Sequence, residues 1–168
     1  MLEKERMMKK ALVAYFSVRG AEGITGKMAA RLAGGIGADL YEISPVQPYT
    51  KADCNWMDKR SRSTVEMQDR GCRPAIATRV ENMDAYEVVF VGFPIWWYRE
   101  PSIIDTFMEA YDFTGKTVVP FATSGGSSIG NSAANMQELA PGAKLVAGKR
   151  FAAKTSADDL CAWAQAWL

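Results

Sequence analysis

Glu87-Val-Val-Phe-Val-Gly-Phe-Pro-Ile-Trp-Trp-Tyr98 decides how this chain folds. After the glutamate come six apolar residues, too few for a helix and rich in valine, the pattern of a strand buried on both faces. Pro94 stops the strand, and three consecutive aromatics follow where a strand end should reach the surface. The same signature recurs on either side. Ala11–Phe16 precedes a Ser/Gly-rich turn, Asp39–Ile43 ends at Ser44-Pro45, Lys116–Thr123 runs into Ser124-Gly-Gly-Ser-Ser-Ile-Gly130, and Ala143–Ala147 repeats it weakly. Helical patterns lie between: Ile24–Ile36, closed by Gly34, Gly35 and Gly37, then Pro101–Tyr111, Asn131–Leu139 and Ala157–Trp167. Strands alternating with helices specify an α/β class built of βα repeats on a parallel sheet.

Composition sets the outer bounds. The 168 residues are 48% hydrophobic and 23% charged, enough for one core without disulfide support. A single domain over 1–168 is expected, behind a polar extension at residues 1–10. The net charge of +1 gives no support to nucleic-acid binding. No histidine is present, which excludes Ser–His–Asp hydrolases, Cys–His proteases and histidine metal sites together. Cys54, Cys72 and Cys161 are odd in number and widely spaced, so they read as free thiols, and no metal site is expected. No secretory h-region or span of about 20 apolar residues appears, so a cytoplasmic protein with no membrane association is expected. Pro45–Arg79 is polar and basic, with Asp53–Asp69 reading as a helix in the crossover between strands two and three. Long insertions of this kind usually cover functional sites, so it is assigned to the rim of the site.

In open parallel sheets ligands sit beyond the carboxyl ends of the strands. Three loops there carry unusual residues. The first, Ser17-Val-Arg-Gly-Ala-Glu-Gly-Ile-Thr25, leads into a helix whose free N–H groups and positive dipole end suit a phosphate. It is not a Walker A loop: five residues separate Gly20 from Gly26-Lys27, and Met28 stands where a hydroxyl is required. Nor is it GxGxxG, since Gly20, Gly23 and Gly26 are evenly spaced. The third loop contains Gly126-Ser-Ser-Ile-Gly130, a literal GxSxG with Ser128 in the nucleophile place. Without histidine no triad can be completed, so no catalytic side chain is assigned. Its glycines instead allow close approach of a flat ligand. The aromatics after strand three favour a stacked planar ring. A phosphate site beside such a wall matches flavin mononucleotide.

These residues resemble the flavodoxin family, through Tyr15-Phe-Ser17, Pro48-Tyr49, Arg73-Pro74, Gly92–Trp97, Asp112-Phe-Thr-Gly-Lys116 and Phe121-Ala-Thr-Ser-Gly-Gly126. The resemblance implies a three-layer sandwich, with a five-stranded parallel sheet in order 2-1-3-4-5 and FMN held noncovalently. It implies a phosphate loop of Ser17, Arg19, Gly20 and Thr25. Pro94, Ile95, Trp96, Trp97 and Tyr98 would flank the ring, and Thr123, Ser124, Gly125 and Gly126 would close its other side. Two departures stand out. The first loop is longer than the family's Ser-x-Thr-Gly-Asn-Thr, with Arg19 in a Thr place and Ala21-Glu22-Gly23 inserted; Tyr98 stands where relatives often carry Gly.

The implied function is electron transfer through FMN, with a redox partner protein or small electron acceptor. Shuttle flavodoxins are typically strongly acidic, so the charge of +1 keeps open a reductase of quinone-like small acceptors. A redox-silent module for another phosphate ligand or a protein partner is the other alternative. A phosphoacceptor receiver domain is excluded, since Ser17-Val-Arg19 and Phe93-Pro94 lack its acidic residues.

Overall fold

Side chains along the three central strands alternate between two separate apolar clusters, as the two-residue period of a strand requires. The structure, a computed structural model, describes residues 9–124 and 126–168. Its central strands are β1 (Ala11–Tyr15), β3 (Val88–Pro94) and β4 (Thr117–Thr123), with β2 (Asp39–Glu42) outside β1. Leu12, Ala14, Val89, Val91, Val118 and Ala122 enter one cluster, whereas Val13, Tyr15, Val88, Phe90, Val119 and Phe121 enter the other.

The helices are α1 (Ile24–Ile36), α2 (Arg62–Gln68), α3 (Ser102–Glu109), α4 (Ser132–Leu139) and α5 (Ala157–Ala164). Met28, Ala29 and Leu32 of α1, with Leu160 and Ala164 of α5, seal the second cluster. Ile103, Ile104, Phe107 and Met108 of α3, with Met136 of α4, seal the first. Burying each such large apolar side chain contributes about 1.5–3 kcal/mol. With β5 (Lys144–Leu145) at the far margin, the pairings are parallel and the order is β2-β1-β3-β4-β5, as the resemblance implies. No helix among the described residues is long and apolar enough to cross a membrane.

The fifth position differs from the single strand expected at Ala143–Ala147. It is split into β5 (Lys144–Leu145), beside Thr117 and Val118, and β6 (Lys149–Phe151), beside Phe121–Thr123. The break faces Pro120, which has no N–H to give the ladder. The chain passes this point at Gly148, φ +75°, so close that a Cβ would lie 2.3 Å from the Pro120 carbonyl oxygen.

The crossover also differs from expectation. Only Arg62–Gln68 is α-helical, beginning where the Ser61 side chain accepts from Thr64 N–H. Upstream, Asn55 Oδ1 accepts from Met57 N and Asp58 Oδ1 from Arg60 N, local bonds that compete with a helix. Its two ends are pinned together by Val46 N to Ala75 O at 2.9 Å and Ala77 N to Ser44 O at 2.7 Å.

Gly148→Ala is expected to destabilise the protein by about 1–3 kcal/mol in denaturant unfolding, because both the positive φ and the Pro120 contact oppose a Cβ. Gly34→Ala is the control: a Cβ there meets open space within α1, so the change should be neutral or stabilising by about 1 kcal/mol.

Candidate functional site

The carboxyl ends of β1, β3 and β4 open into a cleft of about 780 Å³. Its first wall is the loop from Ser17 to Thr25 and the first turn of α1. Gly23 occupies the N-cap and offers no side-chain oxygen, so the early N–H groups of α1 lack the usual side-chain acceptor. Ser17 and Thr25 are buried at the base, while Arg19, Lys27 and Glu22 stand exposed at the rim. Thr25 Oγ1 and Thr123 Oγ1 lie 2.8 Å apart, a buried bond joining α1 to the end of β4.

Pro94 and Ile95 form the apolar wall. Ile95 N donates to Thr123 O at 3.2 Å, so this wall continues the sheet. On the far side stand Thr123, Ser124 and Ser127, then Ala152 and Ala153 beyond β6. Ser124 Oγ donates to the Ser127 carbonyl and accepts from Arg150 Nε at 3.2 Å, which ties that loop to β6.

Of the residues the sequence assigns, Ser17, Arg19, Thr25, Pro94, Ile95, Thr123 and Ser124 line the cleft together. Gly20 stands outside the lining, opening a short 3₁₀ turn against Glu42, and Gly126 also stands off. Gly125 lies outside the described residues. The three aromatics are not in the lining either. Trp96 packs edge-on against Phe16 at 5.6 Å and Tyr49 at 5.3 Å between centroids, so its ring serves an aromatic plug beside the cleft. Tyr98 is 78% exposed.

The turn they form is unusual. Trp96 N donates to Arg99 O at 3.0 Å and Arg99 N returns a bond to Trp96 O at 3.2 Å. The two residues between have φ of 48° (Trp97) and 68° (Tyr98). Positive φ at both central places is the requirement that Asn-Gly normally meets in a two-residue hairpin turn. Side chains there cost roughly 1–2 kcal/mol each.

No residue of the crossover lines the cleft, which corrects its assignment to the rim. It reaches the site through Tyr49, whose ring packs on Phe16 and Trp96 and carries the Arg62 guanidinium 3.8 Å from its centre. Burial, and then its bond to Glu66, push the Tyr49 hydroxyl far up, so it stays protonated. Lys27, Glu22 and Ser127 were missed by sequence reasoning, although Lys27 lies in the first turn of the predicted helix. Ala152 and Ala153 follow a three-residue strand too short to leave a pattern.

The sequence pattern of the flavodoxin family matches residues 10–167. The chain belongs to the flavodoxin family. Among solved structures it is 50% identical to a Bacteroides eggerthii DSM 20697 protein assigned as a flavoprotein, with TM-score 0.86 and coverage of 95% of this chain and 98% of that one. A Bacteroides uniformis ATCC 8492 protein, similarly assigned, is 43% identical, with TM-score 0.85 over 94% of this chain and 98% of its own. A Lactobacillus acidophilus NCFM flavoprotein in complex with FMN shares the fold at 22% identity, TM-score 0.67, over 95% of this chain and 98% of its own. No curated protein matches the chain.

Beneath the aromatic turn, this flavodoxin family member buries a group of charges. Glu100 and Asp105 are fully buried, and Arg99 nearly so. Arg99 Nη1 lies 3.6 Å from Glu100 Oε2 and 3.5 Å from Asp105 Oδ2. Arg73 lies 3.9 Å from Asp105, and Asn135 Nδ2 donates to Glu100 Oε1 at 3.1 Å. Glu100 Oε2 and both Asp105 oxygens have no hydrogen-bond donor, and a proton on Asp105 directed at Glu100 would meet part of that deficit. Burial first, then the bond to and charge of Glu100, raise Asp105 to about 8, against the opposing pull of Arg99 and Arg73.

The folded state therefore binds this proton more tightly than the unfolded chain, whose Asp titrates near 3.8. The associated stability is complete below that value and is lost as pH rises through about 8. Unfolding free energy should fall across this window with a slope of order 1 kcal/mol per pH unit. In Asp105→Asn the slope should be largely absent, as read by urea unfolding at several pH values; an unchanged slope would contradict the assignment.

Proposed function

We propose that this flavodoxin family member binds FMN in the cleft and transfers electrons through it. One observation carries the reading: an uncapped helix N-terminus, flanked by Ser17, Thr25, Arg19 and Lys27, shares a single cleft with the apolar Pro94–Ile95 wall. The first suits a phosphate by dipole, N–H groups and charge. The second suits a planar ring, and the hydroxyls of Thr123, Ser124 and Ser127 suit a polar ring edge. The donor set fits FMN.

Bound FMN supplies the redox chemistry, accepting and returning electrons. The chain's own residues bind, orient and exclude water. Ser17, Thr25, Arg19 and Lys27 would hold the phosphate, with Glu22 the one opposing charge at that rim among the described residues. Pro94 and Ile95 would keep water from one side of the ring. Among the described residues that line the cleft only Arg19, Glu22 and Lys27 are ionisable, and all three sit at the phosphate end, so no side chain is assigned a proton-transfer role at the ring.

A second reading is a reductase of quinone-like small acceptors. The net charge of +1 favours it, since long-range steering towards a charged protein partner would be weak.

Titration of the apoprotein with FMN should quench tryptophan fluorescence saturably and leave the purified complex yellow; a colourless protein without saturable quenching sinks the reading. Thr25→Val leaves the buried Thr123 hydroxyl unpaired and should weaken FMN roughly tenfold. Glu22→Gln removes the opposing charge and should tighten FMN about two- to threefold at low salt, less at high salt. Reoxidation of the photoreduced protein by benzoquinone at rates well above those with a one-electron protein acceptor would favour the reductase.

A further inference from the structure

We propose that Arg99 is a positioning residue of the cleft: its guanidinium clamps the far end of the Trp96–Arg99 turn, holding Trp97 and Tyr98 in the left-handed conformation and thereby fixing the Pro94–Ile95 wall for the ligand. This rests on the FMN reading for what the wall binds, but the clamp itself stands on the geometry. A bulky residue at positive φ persists only where its surroundings over-determine it. Two occur in succession here, at Trp97 and Tyr98. The Tyr98 ring is 78% exposed, so burial of its side chain does not compensate. What remains is the anchoring of the backbone on either side.

Three anchors are present. The paired bonds between Trp96 and Arg99 close the turn. Gly130 lies so close under it that a Cβ would be 2.4 Å from the Tyr98 carbonyl oxygen. The third is the Arg99 side chain. It donates to Met67 O of α2 at 3.2 Å and to Glu100 O at 3.1 Å, and it pairs with Glu100 and with Asp105 of α3. Asn135 of α4 holds Glu100, and its Oδ1 accepts from Arg70 at 3.3 Å. One guanidinium thus fastens the turn to α2 and α3 directly and, by way of Glu100, to α4. A buried ion pair adds little net stability compared with apolar packing. Its effect here is on where the turn sits, and Ile95 is held between that turn, which begins at the adjoining Trp96, and its bond to Thr123 of β4.

A double-mutant cycle tests this. Glycine accepts positive φ without strain, so Tyr98→Gly relieves the need for a clamp. Arg99→Met keeps the stem and removes the fork. Arg99→Met alone should weaken FMN roughly tenfold, whereas in the Tyr98→Gly background the loss should fall to about threefold or less. Equal losses in both backgrounds would overturn the proposal. Thermal unfolding of the apoproteins gives the same cycle without FMN: Tyr98→Gly should raise the midpoint in wild type and not in Arg99→Met, and strictly additive midpoints would overturn the clamp. If Arg99→Met does not fold, Arg99→Lys, which keeps the charge but not the fork, is run through both cycles with the same criteria. Wild type that fails to bind FMN while its midpoints remain non-additive would overturn the functional reading and leave the clamp standing.

Discussion

A single buried hydrogen bond between two threonine hydroxyls, Thr25 with Thr123, fastens the cleft together. It joins the first turn of α1, the helix that follows β1, to the last residue of β4, and in the sheet β3 separates β1 from β4. Both hydroxyls are out of water, so parting them would leave two buried polar groups unpaired at a cost of about 1–3 kcal/mol each. That constraint keeps the first loop and the third at a fixed separation. It also keeps the N-terminus of α1 aimed across the ends of the strands rather than away from them. Everything proposed for the ligand depends on that spacing.

The middle loop obeys a different balance. Trp96 would be expected on the ligand side if aromatic character alone decided, but Phe16 and Tyr49 offer it a packed, edge-on arrangement on the inner side. With Trp96 drawn inward, only two residues remain to reverse the chain, and both must take positive φ. Inward packing of one indole and backbone strain at its neighbours are thus two sides of one choice. The crossover enters this balance by supplying Tyr49, which explains why an insertion remote from the cleft still bears on its shape.

The central strands, the start and end of α1 and the location of the cleft were legible in the sequence, because uninterrupted apolar runs such as Val88–Phe93 have few other ways to be buried, whereas the sheet order came from the family resemblance. Of the site, the first loop and the Pro94–Ile95 wall were legible from their strand-end positions. Trp96 was not: its direction depends on Tyr49, a partner far away in the sequence that no local pattern connects to it. The split fifth strand was hidden for a similar reason, since the proline that breaks it lies in the neighbouring strand. The buried Glu100–Asp105 pair straddles the start of α3 and carries no local sign of burial, which arises only when α2, α3 and α4 close over it.

The interruption opposite Pro120 bears on how molecules meet one another. A continuous outer strand would present an unbroken row of backbone donors and acceptors, a template for pairing with a second chain. Here that margin consists of one piece of two residues and one of three, set apart at Gly148, with the exposed Lys144 and Lys149 along it. The opposite margin is the four-residue β2, with the carboxylates of Asp39 and Glu42 at its ends. Short, charged and discontinuous margins resist edge-to-edge association, so a proline inside the sheet helps keep neighbouring molecules apart.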